Sequence, residues 1–188
     1  MFLPIYLYGH PILREQTQDI TADYPQLKEL IANMYETMYE SDGVGLAAPQ
    51  IGKAIRLLVI DGTPVADTFP ECEGLKRTFI NAKIEKFDGK EVSEVEGCLS
   101  IPGISESVTR PSSIVVSYVD EEFQPHREEF HGYAARIIQH EYDHLEGTLF
   151  TDRVSPFRKK IIKRKLAKIE EGFTVSRYPY VSASKRSK

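Results

Sequence analysis

The sequence predicts an α+β fold in which antiparallel or mixed, short-stranded sheets surround a central helix and a further helix closes the chain. Three observations point there. Apolar residues recur at helical spacing in separate stretches near both ends, residues 79–130 break into short β-branched runs, and strands do not alternate strictly with helices. With 188 residues, 41% hydrophobic and 28% charged, the chain has the size and composition of one globular domain and excludes collagen, coiled-coil rods and wholesale disorder. No apolar run approaches the ~20 residues of a membrane span.

After an extended start, residues 25–40 place Leu27, Leu30, Ile31, Met34 and Met38 on one helical face, ended by Ser41-Asp42-Gly43. Residues 43–52 hold three glycines and a proline without a clean period, as expected where backbone must approach another group closely. Residues 55–61 are apolar and β-branched and read as a buried strand, whereas residues 62–78 are polar, contain Cys72 and read as a loop. Strands are expected at 79–86, 91–96, 104–109, 113–119 and 123–130, with turns at Asp88-Gly89, Pro102-Gly103 and Asp120-Glu121. From Gly132 the period becomes helical through about Leu145, closed by Gly147. Ser155-Pro156 is an N-cap and first-turn pair that starts the last helix. In that helix Arg158, Lys159, Lys160, Lys163, Arg164, Lys165 and Lys168 surround an apolar stripe of Ile161, Ile162, Leu166 and Ile169. Residues 1–172 are therefore expected to form one domain that includes the basic last helix, and residues 173–188, which lack periodicity, a basic disordered tail.

Two cysteines cannot build a disulfide framework, which favours a reducing compartment. The amino terminus has no positive charge before its short apolar run and no small-residue cleavage site, so a cytoplasmic location is expected. The net charge of -4 hides an asymmetry: residues 1–152 sum to -14 and residues 153–188 to +10. The first part argues against a polyanion as partner; the second is a solvated basic face, a surface attracted to the acidic body, or a phosphate-binding anchor.

The most informative pattern is His140-Glu141-Tyr142-Asp143-His144. Histidines four apart on a helix share one face and can reach one metal ion, and the glutamate between them can sit beside a metal-bound water. Zincin proteases complete this HExxH site with a later histidine or acid, but Phe150 stands where the longer metzincin pattern needs its histidine, and no histidine follows His144. Cys98, flanked by Gly97, supplies a thiolate instead; with two imidazoles it makes the three protein ligands of an open catalytic site. Cys72 reads as a small buried hydrophobe, and His10, His126 and His131 as structural or solvated.

Three segments, Gly43-Val44-Gly45-Leu46-Ala47-Ala48-Pro49-Gln50, Glu96-Gly97-Cys98-Leu99-Ser100 and Gln139-His140-Glu141-Tyr142-Asp143-His144, resemble in order the motifs of peptide deformylases. The resemblance runs from about residue 5 to 170. It implies a metal-dependent hydrolase that removes the formyl group from the initiator methionine of new proteins, with ferrous iron (Fe2+) as the working ion; thiolate and imidazole also suit zinc, nickel and cobalt. It further implies Cys98, His140 and His144 as ligands, Glu141 as the base that relays a proton from water to the departing amine, and the Gln50 amide and Leu99 N–H as donors to the formyl oxygen. Backbone near Val44 and Gly45 is expected to pair with the extended substrate as an added strand. Tyr133, Arg136 and Ile137 precede His140 by seven, four and three residues and are expected to wall a methionine pocket. Glu96 and Arg110 are expected to pair beneath the cysteine segment. The ribosome, coated in RNA, is the partner the resemblance implies for the basic helix. Two rival readings stay open on the residues alone: a protease cutting internal peptide bonds, and an RNA-docking module with a structural metal.

Overall fold

The computed structural model describes residues 1–174 and 176–184, and its architecture is the expected α+β class. In chain order the elements are β1 (Ile5–Tyr6), α1 (Leu27–Glu40), β2 (Gly45–Ala47), β3 (Leu57–Asp61), β4 (Lys76–Cys98), β5 (Ile101–Val119), β6 (Pro125–His131), α2 (Gly132–Leu145), α3 (Pro156–Glu170) and β7 (Tyr180–Val181). Strands β2 to β6 form one antiparallel sheet in sequence order, and β1 pairs with β7 in a separate parallel pair. No helix among the described residues is long and apolar enough to cross a membrane.

Strand β3 explains how the helices are held. Its residues alternate between two cores: Leu58 and Ile60 join a cluster with Ala134, Ala135, Ile137 and Ile138 of α2, whereas Leu57 and Val59 join one with Leu30, Ile31, Met34 and Met38 of α1. All five positions of β3 are buried, so the strand reads as a continuous apolar run rather than an alternating one. A third cluster gathers Ile5, Leu7, Leu13 and the turn end of the β4–β5 hairpin under Ile162, Leu166 and Ile169 of α3. Each of those three α3 side chains contributes about 1.5–3 kcal/mol by leaving water.

Five expectations are corrected. The separate strands at 79–86 and 91–96 are one 23-residue strand, and those at 104–109 and 113–119 are one 19-residue strand. Asp88-Gly89 and Pro102-Gly103 are not hairpin turns: the register shifts there, and Gly89 (φ 77°) and Gly103 (φ 73°) absorb extra residues as bulges within the β4–β5 ladder. Bulges and turns draw on the same glycine chemistry, so only the partner strand distinguishes them. The true turn is Leu99–Ser100, directly after Cys98. Ile161 is 48% exposed instead of completing the apolar stripe of α3. The expected tail does not begin at residue 173 as a free segment: residues 176–184 return to the body and pair through β7 with β1, while Val175 and residues 185–188 lie outside the described residues. Finally, the 62–78 segment contains two 3-10 turns and buries Cys72 in the α2 core, and burial pushes its thiol up to about 11.

Helix α3 is also tied down electrostatically. Ser155 caps its N-terminus by accepting from the Arg158 N–H, and the Arg158 guanidinium donates to both carboxylate oxygens of Glu106 on β5, at 2.7 and 2.8 Å. That hydrogen bond holds the Glu106 carboxyl below its ordinary range. A depressed folded-state pKa contributes stability above the unfolded value of ~4.3 and loses it as the pH falls through the folded value. Arg158→Ala is expected to lower the urea midpoint slightly at pH 7, with variant and wild type converging as the solution is acidified and Glu106 protonates. A gap that persists at pH 3 would assign the effect to lost packing.

Candidate metal centre

Helix α2 carries the HExxH residues and begins on a positive-φ glycine, Gly132 (φ 56°), directly after β6. Its N-cap, His131, offers no side-chain hydrogen bond. The Tyr133 N–H instead donates to the Glu71 carboxylate at 2.7 Å, so a residue 62 positions away, in the segment that read only as a loop, supplies an anionic cap where the helix dipole favours one. Phe69 of the same segment lies flat on the Tyr133 ring, with centroids 3.9 Å apart and planes at 7°. At the other end Gly147 (φ 66°) packs so closely on the Arg14 carbonyl that a side chain could not be accommodated, and Arg14 donates to the Gly147 carbonyl.

The helical turn between His140 and His144 directs both imidazoles toward the end of β4, where Cys98 is the last residue. One ligand atom from each of Cys98, His140 and His144 lies within 4.8 Å of the others, and Cys98 Sγ is 3.3 Å from His144 Nε2. Tetrahedral coordination with metal–sulfur and metal–nitrogen distances of about 2.3 and 2.1 Å separates such ligands by roughly 3.6 Å, so this donor set fits a divalent ion. Burial, followed by the positive charge of neighbouring groups, keeps His144 well below its ordinary pKa and its imidazole neutral, the form that binds metal. Phe150, at the position where a metzincin needs histidine, is instead buried and stacks on His140 at 6.0 Å.

Beneath the ligands is a buried ionic network. Glu96 accepts from Arg110 Nε and Nη2 at 2.6 and 2.8 Å and from Arg136 Nη1 at 2.7 Å, and its Oε1 lies 2.8 Å from His140 Nδ1. That last contact engages Nδ1 and leaves Nε2 available to a metal ion. Burial opposes ionisation of Glu96, but the hydrogen bonds from Arg110 and His140 outweigh it and hold the carboxyl well below its ordinary range. Arg110 also donates to Asp143 at 2.8 Å, and Arg153 grips Asp143 from the rim. Arg136 reaches two carbonyls, Val108 and Val92, at 2.7 and 2.6 Å. The expected Glu96–Arg110 pair is thus one edge of a larger network, which also takes up the guanidinium of Arg136.

Glu141 is buried beside the ligands, its Oε2 has no hydrogen-bond partner, and burial, reinforced by the charge of Glu96, raises its carboxyl to about 7. Its other neighbour explains a glycine. A Cβ on Gly45 would collide with the Glu141 carboxylate, so this β2 residue must be glycine for the acid to stand where it does. Gln50 is buried and points Nε2 at Cys98 Sγ, 3.5 Å away, and at Ser100 Oγ, 3.3 Å away, while its Oε1 accepts from the Ala47 N–H.

These groups face one cavity of about 560 Å³. Of the residues expected from sequence, Val44, Gly45, Gln50, Cys98, Leu99, Tyr133, Arg136, Ile137, His140 and Glu141 all line it, and His144 lies behind Cys98. Sequence reasoning missed Val65, from the uninterpreted loop, and Ser176, Arg177 and Tyr178, from the expected tail. Neither segment carries a periodic signal; the only local hint was Tyr178 and Tyr180 standing in an otherwise polar stretch. His10, His126 and His131 lie outside the cluster: His10 accepts from the Ile12 N–H, His126 pairs with Asp120, and His131 faces Glu129.

Comparison with known proteins gives one result throughout. A family model described as Polypeptide deformylase matches residues 2–160. The peptide deformylase of Flavobacterium johnsoniae is 54% identical over 185 residues, covering 95% of this chain and 94% of that protein, and that of Salinibacter ruber is 45% identical, covering 97% and 95%. The crystal structure of peptide deformylase from Thermotoga maritima superposes with a TM-score of 0.75 at 39% identity, over 83% of this chain and 99% of that one. That of Arabidopsis thaliana peptide deformylase 1B, in complex with an inhibitor, gives 0.82 at 35%, over 94% and 98%. The family match ends within α3, so cavity residues 176–178 lie beyond it.

If the Glu96 network orients His140, Glu96→Gln should weaken zinc binding by about 10- to 100-fold, as read by competition with a chromogenic chelator. Unchanged affinity would show that the ligand set is held independently of the network.

Proposed function

The chain belongs to the polypeptide deformylase family, metal-dependent enzymes that remove the N-formyl group from the N-terminal methionine of newly made proteins and release formate, and from that premise we propose how its own residues carry the reaction. Cys98, His140 and His144 hold the metal, and the ion is ferrous iron, with zinc, nickel or cobalt acceptable to the same donors. When bound, the ion supplies Lewis acidity to the formyl oxygen and to the attacking water. Glu141 takes the proton of that water and returns it to the departing amine. The observation that carries this reading is the unpartnered, buried Oε2 of Glu141, a residue that lines the same cavity as Cys98 and His140, two members of the Cys98–His140–His144 cluster.

As water attacks, the formyl oxygen gains negative charge. Gln50 Nε2 and the Leu99 N–H are its donors; the inward aim of Gln50 supports the first, and the place of Leu99 on the turn after Cys98 supports the second. Substrate main chain adds to β2 at Val44 and Gly45, because β2 is the edge of the five-stranded sheet and faces the cavity. The methionine side chain lies against Tyr133, Ile137 and the aliphatic stem of Arg136, whose charge is neutralised by Glu96 away from the pocket. Residues 1–172 carry the whole ligand and base set, and the enzyme works in the cytoplasm.

Glu141→Gln is expected to keep fold and bound metal but to lower formate release from formyl-Met-Ala-Ser by about 10²- to 10⁴-fold, measured on protein loaded anaerobically with iron. Surviving turnover would remove Glu141 as the base.

The basic helix is proposed to anchor the enzyme on ribosomal RNA. Arg158 and Lys159 are engaged within the fold, whereas Lys160, Lys163, Arg164 and Lys168 are exposed with no ion pair among the described residues. Changing those four to alanine should abolish salt-sensitive ribosome binding and leave turnover of formyl-Met-Ala-Ser intact. Cosedimentation that persists in the variant and resists salt would refute the anchor.

A further inference from the structure

The stretch 176–184 crosses back over the substrate cavity. Ser176, Arg177 and Tyr178 line it, and the Tyr178 hydroxyl donates to the Leu99 carbonyl at 2.5 Å. The Tyr178 ring packs in the same cluster as Cys98 and Leu99. One residue further along the turn, the Tyr8 N–H donates to the Ser100 carbonyl at 2.8 Å. The two holders are joined to each other: in the β1–β7 pair the Ile5 N–H donates to the Pro179 carbonyl at 3.0 Å and the Leu7 N–H to the Val181 carbonyl at 2.9 Å. Both carbonyls of the Leu99–Ser100 turn are therefore gripped from outside the β4–β5 hairpin, by a clamp made of the two ends of the described chain.

The clamp acts on a place where small rotations matter. Peptide units are rigid planes that turn about φ and ψ. Holding the Leu99 carbonyl fixes the plane between Leu99 and Ser100, so the preceding plane, which carries the Leu99 N–H, is confined between that plane and the end of β4 at Cys98. An oxyanion donor is useful only when it is preorganised toward the developing charge.

We propose that Tyr178 is a positioning residue of this enzyme: through the Leu99 carbonyl it keeps the Leu99 N–H aimed at the formyl oxygen, while its ring and Ser176–Arg177 form the outer wall of the peptide cavity. The inference rests on the reading of Leu99 as a donor and extends the site to a segment beyond the family match. Tyrosine suits both tasks, since the ring supplies wall area and only the hydroxyl reaches the turn.

Two variants separate the tasks. Tyr178→Phe keeps the ring and removes the donor; it should lower kcat for formyl-Met-Ala-Ser by about five- to tenfold, leave KM and metal stoichiometry unchanged, and raise amide hydrogen exchange over residues 98–101. Tyr178→Ala should show the same fall in kcat and, in addition, a raised KM that the phenylalanine variant does not share. Unchanged exchange and wild-type kcat in Tyr178→Phe would overturn the positioning role. Faster exchange with wild-type kcat would overturn its catalytic consequence and remove Leu99 as a donor, leaving the deformylase assignment intact.

Discussion

The site depends on one buried carboxylate. Glu96 stands on β4 two residues before Cys98, and its partners are Arg110 on β5 and Arg136 and His140 on α2. An ionised carboxylate away from water costs several kcal/mol unless it is fully bonded. Glu96 meets that condition with three guanidinium hydrogen bonds and one imidazole contact, and the geometry that satisfies it is also the geometry that brings the sulfur-bearing strand to the imidazole-bearing helix. Such a network is a costly way to gain stability. What it supplies is a unique register between β4 and α2, because any slip would strand a buried charge.

The remaining parts of the cavity are arranged around the same helix. The Glu71 carboxylate caps its N-terminus, Phe69 fixes the Tyr133 ring, and the N-terminal segment closes its C-terminus at Gly147. On the side of the glycine-rich loop, the missing Cβ of Gly45 makes room for Glu141. The Glu141 carboxylate is buried, and its Oε2 has no hydrogen-bond partner among the described residues.

Local patterns revealed the parts of the site that are local. His140, Glu141 and His144 lie within one helical turn and one period, and Cys98 is marked by its flanking glycine, so both could be read from neighbours a few positions away. Strand lengths could not, because Asp88-Gly89 and Pro102-Gly103 carry turn chemistry that only the opposing strand resolves into bulges. The exposure of Ile161 was hidden for a similar reason: α3 buries one narrow stripe, Ile162, Leu166 and Ile169, and which edge of an apolar patch is covered depends on what packs against it.

Sequence alone determined the α+β class, the charge asymmetry of the two ends and the grouping of Cys98, His140 and His144 as candidate metal ligands, since each follows from residue identity and short-range spacing. Tertiary structure decided what joins them across long separations. Glu71 caps Tyr133 across 62 positions, Arg110 binds Asp143 across 33, and Tyr178 holds Leu99 across 79. Those contacts have no periodicity to announce them. They exist because buried backbone and charged groups must each find a partner, and the nearest partner in space is set by the packing of the sheet and helices rather than by the order of the chain.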